Sequence, residues 1–179
     1  MKPDNRYPAW RMKRKRFDQM NCGIAQALEA FGDWWTLLIV RDAFFGARRF
    51  VDFQRSLGIA KNILSARLAH LVEHGIFERV DVGREGERFE YRLTAKGEAL
   101  LTVLTALREW SDEWVFGRGN EPILVRDRRS GRRVSKLRVA DADGAPLSRH
   151  ELRMVPGPGA SRETVRQLSS RRRSSRAGH

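Results

Sequence analysis

A single cysteine, Cys22, stands in 179 residues. One thiol excludes an internal disulfide and any cysteine zinc cluster. No apolar run approaches the ~18 residues of a membrane-spanning helix, so no membrane partner is expected. The N-terminus is basic but has no apolar segment behind it, so no secretory signal is read and a cytoplasmic protein is expected. A Gly-rich phosphate loop, a metal-ligand cluster and a Ser/His/Asp pattern at suggestive spacing are also missing. The four histidines, His70, His74, His150 and His179, are scattered along the chain. Neither an enzyme nor a bound metal or cofactor is expected.

Acidic charge is scarce too: 22 Asp and Glu face 35 Lys and Arg, a net +13. The imbalance lies at the ends. Residues 1–21 hold seven basic against two acidic residues, and residues 118–179 hold sixteen against six. Residues 22–117 hold twelve against fourteen, so the central part is close to neutral. Basic flanks favour a polyanionic partner.

The stretch from Gly58 to Leu93 carries the clearest pattern. Leu64, Leu68, Leu71 and Val72 recur at i, i+4, i+7 and i+8, one apolar helix face. Asn62, Ala66 and His70 fall opposite, flanked by Lys61, Ser65 and Ala69. Gly75 suits a helix stop. Ile76–Val82 and Arg88–Leu93 then alternate apolar and polar, as half-buried strands do. The link between them, Gly83-Arg84-Glu85-Gly86-Glu87, has two glycines and no apolar residue.

Upstream, Cys22–Phe31 reads as a short helix with Ile24, Ala27, Leu28 and Phe31 on one side. Asp33 can cap a second helix, Trp34–Phe45, apolar nearly all round and so expected in the core. A third helix follows, with Phe50, Phe53 and Leu57 on one face, and the turn Gly58-Ile59-Ala60 leads into the patterned helix. Two short helices joined by such a turn make a helix-turn-helix. Downstream, Thr94 can cap a long helix, Ala95–Phe116, striped by Leu100, Leu104, Leu107, Trp110 and Trp114. That stripe either packs on its own domain or, as the surplus of apolar area favours, pairs with a second copy. Beyond it, Ile123–Val125 and Val134–Val139 read as short strands.

The expected fold is mainly α with a small β wing, a winged helix-turn-helix carrying a small C-terminal β-hairpin. Four parts are expected: a basic arm (1–21), the DNA-binding and dimerisation domain (22–117), a ribbon-like appendage without metal (118–157) and a disordered basic tail (158–179). Double-stranded DNA is the expected partner. Lys61, Asn62, Ser65, Ala66 and Arg67 would face the major groove, Arg84 and Arg88 would reach phosphate or minor groove from the wing, and Arg48 and Arg49 would add phosphate contacts. By angle, Arg67 lies nearest the buried flank. A small-molecule effector could sit among Trp34, Trp35 and Phe44. The rival reading from another class is a winged helix used for protein–protein contact, which the near-neutral module would suit.

Several runs resemble the HxlR-type regulators, a branch of MarR-like winged-helix transcription factors. They are Cys22-Gly23, the run Gly32-Asp33-Trp34-Trp35-Thr36-Leu37-Leu38-Ile39, Gly46-Ala47-Arg48-Arg49-Phe50, Asp52-Phe53, Gly58-Ile59-Ala60, Leu64-Ser65-Ala66-Arg67-Leu68, Leu71-Val72, His74-Gly75 and Tyr91-Arg92-Leu93-Thr94-Ala95-Lys96-Gly97. The resemblance implies a homodimer on a pseudo-palindromic operator, with the first and the long last helix forming the dimer. Some members sense electrophiles or oxidants with a cysteine at the place of Cys22, and its position at a helix start beside a basic arm suits a reactive thiol. The chain departs from the family at Gly23, where proline is common, at a wing tip without proline, and at Ala66 and Ala69, which are often polar in relatives. Some relatives also carry a cysteine-bearing C-terminal ribbon; here Ser130, Ala140 and Asp143 stand in those places.

Overall fold

The computed structural model describes residues 17–83 and 89–174. Helices α1 (Gly23–Phe31), α2 (Trp34–Phe44), α3 (Phe50–Leu57) and α4 (Lys61–Glu73) are followed by strands β1 (Phe77–Asp81) and β2 (Phe89–Leu93). Then come α5 (Ala95–Glu98), α6 (Leu100–Ser111) with a wider π-type turn over Asp112–Phe116, and finally α7 (Arg162–Ser174). The strands pair antiparallel, Phe77 opposite Leu93 and Asp81 opposite Phe89.

One core gathers α1 to α4, the hairpin and α6. Ile39, Val40 and Ala43 of α2 meet Phe53 of α3, then Leu64, Leu68 and Leu71 of α4, and Ile76, Phe77 and Leu100. Phe53, Phe77 and Tyr91 form a triangle of edge-to-face rings with centroids 6.1–6.5 Å apart, the geometry that aromatic quadrupoles favour. This triangle fixes the hairpin to the helical layer. The expected caps are present: Asp33 accepts from the Trp35 backbone N–H, and Thr94 Oγ1 from that of Gly97.

The run from Thr94 to Gly97 seats the start of the last helical segment on the end of α4. Thr94 Oγ1 donates to the Gly75 carbonyl at 2.6 Å, and its backbone N–H donates to that of Ile76 at 3.1 Å. A Cβ at Gly97 would stand 2.2 Å from the Ile76 carbonyl oxygen, so only glycine fits.

The long helix runs from Ala95 to Phe116 as expected, passing through Ala99, whose φ −62° and ψ −20° are right-handed helical, and widens after Ser111. Three expectations give way. The α2 helix is not buried all round, since Trp34 is 76% exposed. The strands expected at Ile123–Val125 and Val134–Val139 reduce to isolated bridges, Arg126 with Arg133 and Ala140 with Pro146. Val125, Val134 and Leu137 are exposed there, and a ladder without a packed face has little to stabilise it. Last, much of the segment expected to be disordered is helical. Ser161 Oγ accepts from the Thr164 N–H to start α7, and Asn21 ties that start to the beginning of α1. Asn21 Oδ1 accepts from the Ser161 N–H and the Thr164 hydroxyl, both at 2.8 Å, and its Nδ2 donates to the Gly159 carbonyl at 3.1 Å.

Candidate nucleic-acid interface

Helices α3 and α4 are joined by Gly58, Ile59 and Ala60. Gly58 adopts φ 61°, ψ 20°, the left-handed conformation a side chain disfavours. It lets α3 stop and the chain turn within three residues. Ile59 is buried beneath the turn and anchors it. Leu64, Leu68 and Leu71 then hold α4 to the core, and their burial exposes the opposite face. Lys61, Asn62, Ser65, Ala66 and Ala69 are all exposed on it. Among the described residues no side chain caps the N-terminus of α4, where unpaired N–H groups carry partial positive charge.

Arg67 has a different position. It is half-buried, and its Nη2 donates to Asp33 Oδ2 at 2.9 Å. The other oxygen of Asp33 accepts the Trp35 N–H at the start of α2. One carboxylate thus caps α2 and grips α4, and Arg67 stands at the edge of the open face with its guanidinium engaged.

The residues before α3 abut the hairpin. The Tyr91 N–H donates to the Arg48 carbonyl at 2.8 Å. Arg48 is half-buried, its guanidinium reaching the Ala43 carbonyl at 3.5 Å. Arg49 is exposed and lies 3.9 Å from the Glu90 carboxylate on β2. Phosphate contact is therefore open to Arg49 and less so to Arg48. Arg84 and Arg88 lie outside the described residues, as do residues 1–16 of the basic arm. Cys22 is exposed at the N-cap of α1. Trp35 and Phe44 pack against the core, and a surface hollow of about 560 Å³ is lined by other residues, among them Asn21, Cys22, Gln26 and Thr164.

A second constellation escaped the linear reading. His70, Glu73 and His74 occupy the end of α4, with one ligand atom from each within 4.8 Å of the others. The histidine rings lie 4.0 Å apart. The signal was the spacing i, i+3, i+4, which puts all three side chains on one edge of a helix.

A surplus of apolar surface marks a third region. Ile24 and Leu28 of α1, Trp34, and Leu101, Leu107, Trp110 and Trp114 of the last helical run are exposed, Trp110 by 62% and Trp114 by 72%. Among the described residues no helix is long and apolar enough to cross a membrane.

The chain is similar in sequence and fold to known proteins. The HxlR-like helix-turn-helix family model matches residues 30–118. An uncharacterized HTH-type transcriptional regulator of Mycobacterium tuberculosis, Rv3095, is 40% identical over 136 residues, 76% of this chain and 86% of the relative. The crystal structure of PA1607, described as a candidate transcription factor, matches with a TM-score of 0.74 at 43% identity, over 80% of this chain and 100% of that one. PA1374 from Pseudomonas aeruginosa, described in the same way, matches with a TM-score of 0.59 at 40% identity, over 82% and 99%.

Proposed function

The chain belongs to the HxlR-like helix-turn-helix family, and from that premise we propose that it is a sequence-specific DNA-binding repressor acting as a homodimer on a pseudo-palindromic operator. The observation that carries this reading is the open face of α4. Lys61, Asn62, Ser65 and Ala66 project from a helix whose other face is locked by Leu64, Leu68 and Leu71. A rigid helix of this kind fits the major groove.

Within the groove each residue has its own chemistry. Lys61 donates to guanine acceptors or phosphate, Asn62 can bridge adenine, Ser65 accepts or donates, and Ala66 offers a methyl to thymine. Arg67, tied to Asp33, orients α4 and can lend charge to nearby phosphate. Arg49 adds a phosphate contact beside the wing, and Arg84 and Arg88 extend the contact from its tip. The N-terminus of α4 favours a phosphate by its dipole.

The dimer rests on the exposed apolar residues of α1 and the last helical run. Large aromatic side chains left in water mark an interface, and a two-fold dimer presents two recognition helices to successive major grooves, roughly 34–36 Å apart. A dimer seated across two turns of duplex excludes polymerase from the same stretch, which is repression by occupancy.

The test is selection of bound sequences from a random duplex pool at fixed salt, followed by mobility shift. The selected sites should be pseudo-palindromic. Lys61→Ala should weaken binding and lower the salt slope by about 1, with the dimer intact. Failure to enrich any sequence would overturn sequence-specific binding and favour a protein–protein module.

A further inference from the structure

We propose that the end of α4 is a binding site for a divalent first-row transition metal ion of the zinc class, with His70, Glu73 and His74 as its ligands. The three side chains come from the last turn of one helix, with a ligand atom from each within 4.8 Å of the others. Two imidazoles and a carboxylate are the donor set that zinc, cobalt and nickel accept, with water completing the coordination.

The hydrogen bonds around the histidines carry the inference further. His70 Nε2 lies 3.0 Å from the Ala30 carbonyl of α1, and His74 Nδ1 lies 3.0 Å from the His70 carbonyl. A carbonyl can only accept, so each of these nitrogens bears the hydrogen. In the neutral ring, the form that binds a metal, the lone pair is then left on Nδ1 of His70 and on Nε2 of His74. A ring N–H donated to a backbone carbonyl, with the other nitrogen free, is how proteins hold a histidine ready for a metal. Both tautomers are set by backbone atoms before any ion arrives.

Charge at this place also favours a cation. The C-terminal end of a helix carries partial negative charge, and Glu73 adds a full one. Lys96 opposes them, its ammonium donating to the His74 carbonyl at 2.7 Å. Nitrogen and oxygen ligands stand about 2.0–2.2 Å from a zinc ion, so the three side chains must draw in around it. Glu73 is exposed, so its carboxylate has room to swing toward the imidazoles while both histidine hydrogen bonds stay in place. The bond from His70 to Ala30 links the site to α1, so a bound ion would fasten the end of α4 to the first helix.

The experiment titrates the untagged full chain with zinc chloride by calorimetry and follows the imidazole nitrogens by NMR. One equivalent should bind per chain, with coordination shifts at Nδ1 of His70 and Nε2 of His74. Glu73→Gln, at an exposed position that leaves the fold intact, should weaken binding about 10-fold, and His74→Ala roughly 100-fold, in the range by which even outer-shell changes weaken metal sites. His150→Ala and Cys22→Ser should leave it unchanged. Absence of binding, affinity unmoved by Glu73→Gln, or shifts on the opposite ring nitrogens would each overturn the site and leave the histidines as helix-end hydrogen-bond donors. No DNA enters the measurement, so its failure is separate from failure of the regulator reading.

Discussion

Arg67 of α4 and Asp33 at the start of α2 are joined by a 2.9 Å ion pair. Both side chains are less than one-third exposed, and the second oxygen of Asp33 is already occupied by the Trp35 N–H. The tilt of the helix that presents Lys61 and Asn62 is thus set from α2, some thirty positions earlier in the chain.

A double-mutant cycle on this pair should show a coupling of about 1 kcal/mol in urea unfolding, the range for contacting residues. Asp33→Ala alone should cost more than Arg67→Ala, by about 1 kcal/mol, because it also removes the cap. In mobility shift, Arg67→Ala should weaken operator binding less than Lys61→Ala does. A larger loss at Arg67 would mean that its guanidinium leaves Asp33 for DNA.

Gly97→Ala should destabilise the domain by about 1–3 kcal/mol, the usual cost of overpacking. The clash is with the Ile76 carbonyl, which is backbone and cannot rotate away. Chemical unfolding with an unchanged m-value would report it. Stability equal to the parent would show that α5 is not seated on Ile76.

In the proposed dimer, Trp110→Glu together with Trp114→Glu should shift sedimentation velocity from dimer to monomer, with helix content retained. Both rings are largely exposed on the single chain, so their replacement costs the isolated fold little. A dimer that survives both changes would place the interface elsewhere.

Acid should loosen the appendage from the end of the last helical run. The Lys136 ammonium, donating at 2.8 Å, and the Arg118 guanidinium hold the Glu113 carboxyl below its ordinary 4.5. A depressed carboxyl contributes fully above that ordinary value and loses its contribution as pH falls through the lower, folded one. The neighbouring Leu137 N–H, which donates to Glu109 Oε2 at 2.9 Å, should lose exchange protection below about pH 4.5, after correction for intrinsic rates. Lys136→Ala should give the same loss at neutral pH. Protection that persists in both conditions would mean that these contacts do not hold the segment.

The helix-turn-helix and its hairpin were legible in the chain because their signals are local. The spacing of Leu64, Leu68 and Leu71, the cap at Asp33 and the stop at Gly75 each act within a few residues. The exposed face of α4 was equally legible, since burying one side of a helix exposes the other. The tail illustrates the opposite case. Its composition suggests no order, yet α7 forms at a start pinned by Asn21, a residue about 140 positions away.

By itself the sequence determined the element order, the turn, the buried leucines of α4 and the exposure of Lys61, Asn62, Ser65 and Ala66. Periodicity and capping decide these before any distant contact forms. Only the tertiary structure decided that Arg67 turns to Asp33, that His70 bonds to the Ala30 carbonyl, and that the chain's own packing leaves Trp34, Trp110 and Trp114 uncovered. Each of those outcomes depends on which element packs beside which, and hydrophobic spacing along one helix carries no record of its neighbour's polar groups.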